Sequence, residues 1–273
     1  MPPQPVPLDA LARRVPDGAM LALPPDNSLT PGELARALVR RGALGLRLLG
    51  VPVCGYACDL LIGAGCAAAV QTSAASVGES GLAPAFARAL AAGAITVEDA
   101  TCPAIHTMLQ AAEKGVPFMP LRGVLGSDLI AHRPDWRVID NPFAPGDPIL
   151  LVPALSPDIA AFHAACADAE GNVYVGRRRE LATMAHAARR TLVTVERLVS
   201  GNLLEDETMA AGTIASVYIE AVALAPHGAW PAGLLDEYEA DAAHLGEYAR
   251  MARTGAGFAD YLARFVAPAG PGA

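Results

Sequence analysis

The 273 residues are enough to bury one large core or two small ones, and 53% of them are hydrophobic. No uninterrupted apolar run reaches the ~18 residues of a membrane span, so the mean hydropathy of +0.33 reflects alanine and strands buried on both faces. A formal charge of -8 argues against a nucleic-acid partner, because neutralising phosphates needs a basic face.

The opening stretch, Met1-Pro-Pro-Gln-Pro-Val-Pro7, lacks the basic region and apolar core of a secretory leader, which predicts a cytoplasmic location. Residues 8–15 read as a short amphipathic helix, Pro16-Asp17-Gly18 as a turn and residues 19–23 as a first strand. The loop Pro24-Pro-Asp-Asn-Ser28 precedes a helix with Thr30 as its cap, Pro31 at its first helical position and Glu33 completing a capping box; Gly42 stops it. Residues 46–53 supply a second strand. This strand–loop–helix–strand unit puts Asp26, Asn27 and a helix N-terminus at the carboxyl end of a parallel strand, where open α/β sheets bind ligands. Asn27 is therefore a candidate side-chain donor; the alternative is that Asp26-Asn27 is only a turn.

Five cysteines, an odd number, predict no disulfide framework. Cys54 and Cys58 have no nearby histidine to complete a zinc set and read as buried thiols. Residues 59–65 form a short helix with a glycine turn, residues 67–72 a third strand, and residues 73–80 a polar loop at its carboxyl end. In that loop Ser76 and Glu79 are candidates to face a cleft, or else ordinary surface groups. A helix over 84–92 and a strand over 94–98 follow. Thr101-Cys-Pro103 leads into an amphipathic helix over 104–114, with Ile105, Met108, Leu109 and Ala112 on one face. A thiol at a helix start has a lowered pKa, but nothing in the sequence assembles a nucleophile around Cys102.

Residues 117–128 combine Arg122, two glycines and Ser127-Asp128. The pattern suggests backbone close to a ligand, with a guanidinium for a carboxylate or thioester oxygen; the alternative is a structural loop with Arg122 in a salt bridge. Residues 138–143 lead through Gly146-Asp147-Pro148 into a buried strand at 149–153, and a small-residue strand lies within 154–165. Asp168 to Asn172 reads as a tight reversal between strands. Arg177-Arg-Arg179 is either a solvated helix start or a grip on a phosphate, a carboxylate or a partner chain. An alanine-rich helix from 182 then passes into Thr191-Leu-Val-Thr-Val195 and ends on Glu196, the repeat unit of a layered α/β protein. Residues 217–225 are the last strong strand, and Pro226 to Pro231 a loop facing the cleft or a partner. The acidic, tyrosine-rich stretch 234–265 reads as helices wrapping the domain or a neighbour, and 268–273 as a frayed end. The fold class is α/β: an open, mostly parallel sheet with helices on both faces, a single domain over 1–232 with a helical tail over 233–273.

Several landmarks, in order, resemble the α-type subunit of the family I coenzyme A transferases, and within them the glutaconate CoA-transferase branch. They are Asp59-Leu-Leu-Ile-Gly-Ala-Gly65, Ala94-Ile-Thr-Val-Glu98, Gly115-Val-Pro-Phe-Met-Pro120, Gly126-Ser-Asp-Leu129 and Pro153-Ala-Leu-Ser-Pro-Asp158. Further along come Gly171-Asn-Val173 with Gly176, Ala187-Ala188, Thr194-Val-Glu-Arg-Leu-Val199 and Pro226-His-Gly-Ala229. The resemblance implies a CoA-transferase/sugar-phosphate-isomerase-like fold and CoA as a substrate, with no cofactor and no metal. It implies transfer of CoA from an acyl-CoA to a carboxylic acid through a glutamyl-CoA thioester. The nucleophilic glutamate would belong to a β-type partner chain, leaving no catalytic residue in this one. Asn27, Ser76, Arg122 and Ser127 would then bind substrate, and Glu79 or Glu98 would be nucleophiles only if the chain acted alone.

The family's loop after the first strand is glycine-rich, and its amides stabilise a thioester oxyanion. Here Pro24 and Pro25 have no amide hydrogen to give. That departure keeps open a CoA-thioester-dependent ring-opening hydrolase subunit on the same scaffold. Hydrolase-like relatives would carry an acidic residue near position 102, where this chain has Thr-Cys-Pro. A non-catalytic structural α-like subunit is the third reading.

Overall fold

Strands as apolar as these can only be covered on both faces, since either face left in water would expose a stripe of leucine and valine. The computed structural model, which describes residues 5–78 and 81–267, has that layering. After a short helix α1 (Leu8–Ala12), β1 (Met20–Leu23), α2 (Gly32–Arg41), β2 (Leu46–Gly50), α3 (Tyr56–Gly63), β3 (Ala67–Thr72), α4 (Pro84–Ala91) and β4 (Thr96–Asp99) form the first half of the sheet, all strands parallel. Next come α5 (Cys102–Glu113) and an antiparallel sheet of β5 (Phe118–Leu121), β6 (Arg137–Asn141) and β7 (Ala144–Pro153), with β7 central. β8 (Ile159–Asp168) rejoins the main sheet beside β1, and β9 (Val173–Tyr174) folds back on it. Then α6 (Arg179–Ala187), β10 (Arg190–Val199), β11 (Thr213–Ile214) and β12 (Ala221–Leu224) complete the sheet, and α7 (Ala242–Met251) and α8 (Gly255–Phe265) end the chain's described part.

The parallel strands lie in the order β4-β3-β2-β1-β8-β10-β12. Alternate residues face opposite layers, as the two-residue period of a strand demands. Leu21, Leu23, Leu48, Val70 and Ile159 pack with α2, α3, α4, α7 and α8, whereas Ala22, Leu49, Phe162, Val193 and Val195 pack with α5 and α6. The tail is part of the first layer. Tyr248 Oη donates to Asp59 Oδ2 at 2.7 Å and Tyr261 Oη meets Tyr56 Oη at 3.0 Å, all four side chains being buried. Asp59 also accepts the Ala85 and Phe86 N–H groups, so it ties α3, α4 and α7 together.

Three sequence expectations are corrected. α2 starts at Gly32, and Thr30 does not cap it: Thr30 Oγ1 is buried without a partner. Glu33 closes no capping box, because its carboxylate goes to Arg36 (2.6 Å) and Arg40 (2.7 Å), charged donors that outcompete a backbone amide. The Glu33 N–H is met by the Gly228 carbonyl instead. Finally, residues 118–121 are a strand and not a loop; β5 is an edge strand, the one sheet position that tolerates Pro120. Gly42 does end α2, in the left-handed conformation at φ 70°. No helix among the described residues is long and apolar enough to cross a membrane.

Candidate active-site crevice

Strand order reverses between β1 and β8: the chain winds outward from β1 to β4 on one side and from β8 to β12 on the other. At such a switch point the loops leaving neighbouring strands diverge, and a crevice opens at the carboxyl ends. β1 pairs with β8 only at Leu21 and Ala22, and β8 runs on for several more residues. The loop after β1 lies along this free edge, where the His163 N–H donates to the Leu29 carbonyl at 2.8 Å. Ser28 Oγ bonds Glu180 at the start of α6, fixing the loop from its other side.

Two adjoining hollows occupy the crevice. The larger, about 570 Å³, is lined by Asp26, Asn27, Gly78, Arg178 and residues 232–240. The smaller, about 320 Å³, lies between Leu29, Ala165 and residues 174–178, and shares Arg178, Leu234, Leu235 and Asp236 with the first. Both are of ligand size, and their walls mix apolar surface with charged and polar side chains.

The wall formed by residues 226–238 is held by one carboxylate. Glu196, in the C-terminal half of β10, accepts from His163 Nε2 (2.7 Å), Tyr238 Oη (2.8 Å) and the N–H groups of His227 (2.8 Å) and Gly228 (3.2 Å). Burial raises its pKa, but these donors more than offset that and hold it at about 2. His163 is buried and its Nδ1 meets Thr194 Oγ1 at 2.9 Å, so the ring is clamped at both nitrogens. The His227 and Tyr238 rings stack at 4.8 Å. Residue 228 must be glycine, since a Cβ there would come within 2.5 Å of the His163 ring. Glu196 is spent as a structural pin and is a poor nucleophile.

Asp26 is different. It follows the two prolines directly, and its Oδ1 and Oδ2 accept the N–H groups of Tyr56 (2.7 Å) and Gly78 (3.3 Å). Gly55 gives the carboxyl room, for a Cβ there would collide with Oδ1. Burial is the dominant influence and pushes the pKa up to about 6; the two amides pull against it and the Asp59 carboxylate reinforces it.

Of the four candidate substrate-binding residues, only Asn27 lines the crevice, exposed at its rim. Ser76 is half-buried in the segment that bridges Cys54 and Leu82, and lines neither hollow. Arg122 directly follows β5, and Asp147 of β7 takes both of its terminal guanidinium nitrogens. Ser127 caps the short 3₁₀ turn Asp128–His132 through the Leu129 N–H. Neither Arg122 nor Ser127 reaches the hollows. Glu98 sits on the edge strand β4 beside Arg47 at 3.6 Å, and Glu79 and residues 268–273 lie outside the described residues. Cys54, Cys58, Cys66 and Cys166 are buried free thiols, while Cys102 is exposed with its Sγ 3.1 Å from Ser73 Oγ. The sequence places Asp26 beside Asn27 at the ligand end of β1 but gives it no role beyond a turn, and it does not single out Tyr238 or the Glu196–His163 pair. The signals that point to them are a carboxylate just past β1 and another that follows the apolar run of β10.

Comparison with known proteins gives the chain's family. The family model for coenzyme A transferase matches residues 7–225. The chain is 30% identical over 277 residues to the A-type subunit of the glutaconate CoA-transferase of Acidaminococcus fermentans, covering 94% of this chain and 86% of that one. The crystal structure of that transferase superposes with a TM-score of 0.88 at 27% identity, over 96% of this chain and 88% of that one. The A-type subunit of the 3-oxoadipate CoA-transferase of Pseudomonas knackmussii is 31% identical over 241 residues, 85% of this chain and 82% of that one. The cholesterol ring-cleaving hydrolase IpdA subunit of Rhodococcus jostii is 29% identical over 191 residues, 67% of this chain and 64% of that one.

Proposed function

The chain belongs to the coenzyme A transferase family, and from that premise we propose that it is the A-type subunit of a two-component enzyme that moves CoA between an acyl-CoA and a carboxylic acid. The observation that carries this reading is the likeness, along 94% and 85% of the chain, to two proteins named as the A-type subunits of CoA-transferases. In this reading a glutamate of a β-type partner attacks the acyl-CoA, and CoA passes through a glutamyl thioester to the acceptor acid. This chain contributes the switch-point crevice, in which Arg178 and Asn27 meet the anionic ends of the substrates. That Glu196 is locked by four donors supports a nucleophile from elsewhere. CoA enters as substrate, no further cofactor is required, and a cytoplasmic location goes with acyl-CoA chemistry.

A second reading, a hydrolase subunit that opens a carbon–carbon bond of a CoA-linked ring, is favoured by the likeness to the ring-cleaving hydrolase and by the Pro24-Pro25 loop. One assay separates the two. The chain, a β-type partner and both together are incubated with acyl-CoA donors, with and without a carboxylic acid acceptor. Transfer predicts new acyl-CoA only when both chains and the acceptor are present. Product from a cyclic CoA thioester without an acceptor supports hydrolysis and overturns transfer.

A further inference from the structure

We propose that Asp26 is a catalytic residue contributed by this chain, a neutral carboxylic acid whose Oδ2–H donates a hydrogen bond to the thioester carbonyl oxygen as negative charge develops on it. The inference rests on the CoA-transfer reading and adds a role that reading does not contain.

The geometry begins with the supply of donors. A carbonyl oxygen attacked by a carboxylate becomes an oxyanion and needs preorganised donors close by. The loop that leaves β1 at the switch point is poor in them. Pro24 and Pro25 have no N–H, the Ser28 N–H is used on the Pro25 carbonyl, and the Tyr56 and Gly78 N–H groups both point at Asp26 itself, which leaves the loop two backbone donors, at Asp26 and Asn27. What the loop presents to the hollow at this point is the Asp26 carboxyl, with Asn27 at the rim.

The form of that carboxyl follows from its surroundings. The strong bond from Tyr56 occupies Oδ1, while the longer 3.3 Å contact from Gly78 leaves Oδ2 the oxygen that can carry a proton. Nearby on α3 lies Asp59, whose carboxylate disfavours a second negative charge there. Across the hollow, Asp236, Glu237 and Glu239 add like charge, and Arg178 is the opposing cation on that lining. Glu237 is partly neutralised by Arg197 at 2.6 Å. With burial raising its pKa to about 6 in the chain by itself, an acyl-CoA that excludes water raises it further, so the acid form prevails when substrate is bound. A carboxylic acid kept neutral by its site is an effective oxyanion donor.

The step is balanced without an added reagent. The partner's carboxylate oxygen forms a bond to the thioester carbon, and the carbonyl π pair moves onto oxygen. On collapse that pair re-forms the carbonyl, and the C–S bond breaks with its electrons on the CoA sulfur. The Asp26 proton stays on Asp26 throughout.

The test uses the complex of this chain with a β-type partner, assayed for transfer from an acyl-CoA between pH 5 and 8. Wild type is expected to lose kcat/KM above a pH near 6, as Asp26 ionises. D26N retains an N–H donor and the acceptor for Tyr56; it is expected to keep measurable activity with that alkaline limb gone. D26A is expected to lose about 10²- to 10³-fold in kcat with little change in KM. Circular dichroism and the elution volume of each complex establish that the variants fold and assemble. D26A within about threefold of wild type, or an alkaline limb that persists in D26N, overturns the role of Asp26 while leaving CoA transfer standing. Absence of transfer by the wild-type complex overturns the functional reading, and the role of Asp26 with it. Titration of a ¹³C-labelled Asp26 carboxyl in the isolated chain, expected near pH 6, is independent of both.

Discussion

Replacing Glu196 by glutamine removes one charge at the point where three chain segments meet. The carboxylate titrates at about 2 in the fold against 4.5 ordinarily. At 1.36 kcal/mol per pH unit that difference is about 3 kcal/mol of stability. The sign follows from the depressed pKa: the stabilisation is fully present above pH 4.5 and is lost as pH falls toward 2. Glutamine keeps one acceptor, but turns an amide NH₂ toward groups that are themselves donors, namely His163 Nε2–H, Tyr238 Oη–H or the His227 and Gly228 amides. With Glu196 only 11% exposed, water cannot repair the loss. E196Q is therefore expected to be less stable by about 2–4 kcal/mol at pH 7. Urea unfolding followed by tryptophan fluorescence, repeated from pH 7 to pH 3, measures both effects. The wild type should lose stability through the acid range, and E196Q should show a flatter profile. Equal midpoints at pH 7, or parallel acid profiles, would refute the pin.

Three further outcomes are expected. Gly228→Ala drives a Cβ to within 2.5 Å of the His163 ring and 2.7 Å of the Ala225 carbonyl, so it should cost about 1–3 kcal/mol in thermal or urea unfolding. Tyr248→Phe leaves the buried Asp59 carboxylate with its two backbone donors alone and should cost about 1–3 kcal/mol, detaching the tail helices first in hydrogen exchange. Arg178→Ala should raise the KM of the acyl-CoA or the acid about tenfold, whereas Arg122→Ala, whose guanidinium Asp147 already occupies, should leave both KM values unchanged.

What the sequence discloses is local. Apolar runs mark β1, β3 and β10, Gly42 marks a helix stop, and Asp168 to Asn172 marks the reversal into β9, where Asp168 accepts the Glu170, Asn172 and Leu203 amides. Tail helices rich in tyrosine are legible too, and α7 and α8 pack on α3 through Tyr248 and Tyr261. What it conceals depends on distant partners. Arg122 and Ser127 sit in a glycine-rich stretch that looks like a ligand loop until β7 pairs beside it and brings Asp147 to the guanidinium. Thr30 and Glu33 have the spacing of a capping box, but Arg36 and Arg40 take the carboxylate and Gly228, far along the chain, takes the amide. Asp26 reads as a turn residue because its burial is made by Tyr56 and Gly78, supplied by other strands' loops. The place of the crevice, at the end of β1, is legible; the side chains that furnish it mostly are not.

If this polypeptide shapes the crevice while another chain delivers the attacking carboxylate, the covalent intermediate must form on that other chain. The most direct test is to mix both chains with acyl-CoA, quench with hydroxylamine or borohydride, and map the modified residue by peptide mass spectrometry. A single modified glutamate is predicted, on the β-type chain, formed only when this chain is present. A modified carboxylate on this chain, at Asp26, Glu196 or elsewhere, would contradict that division of labour.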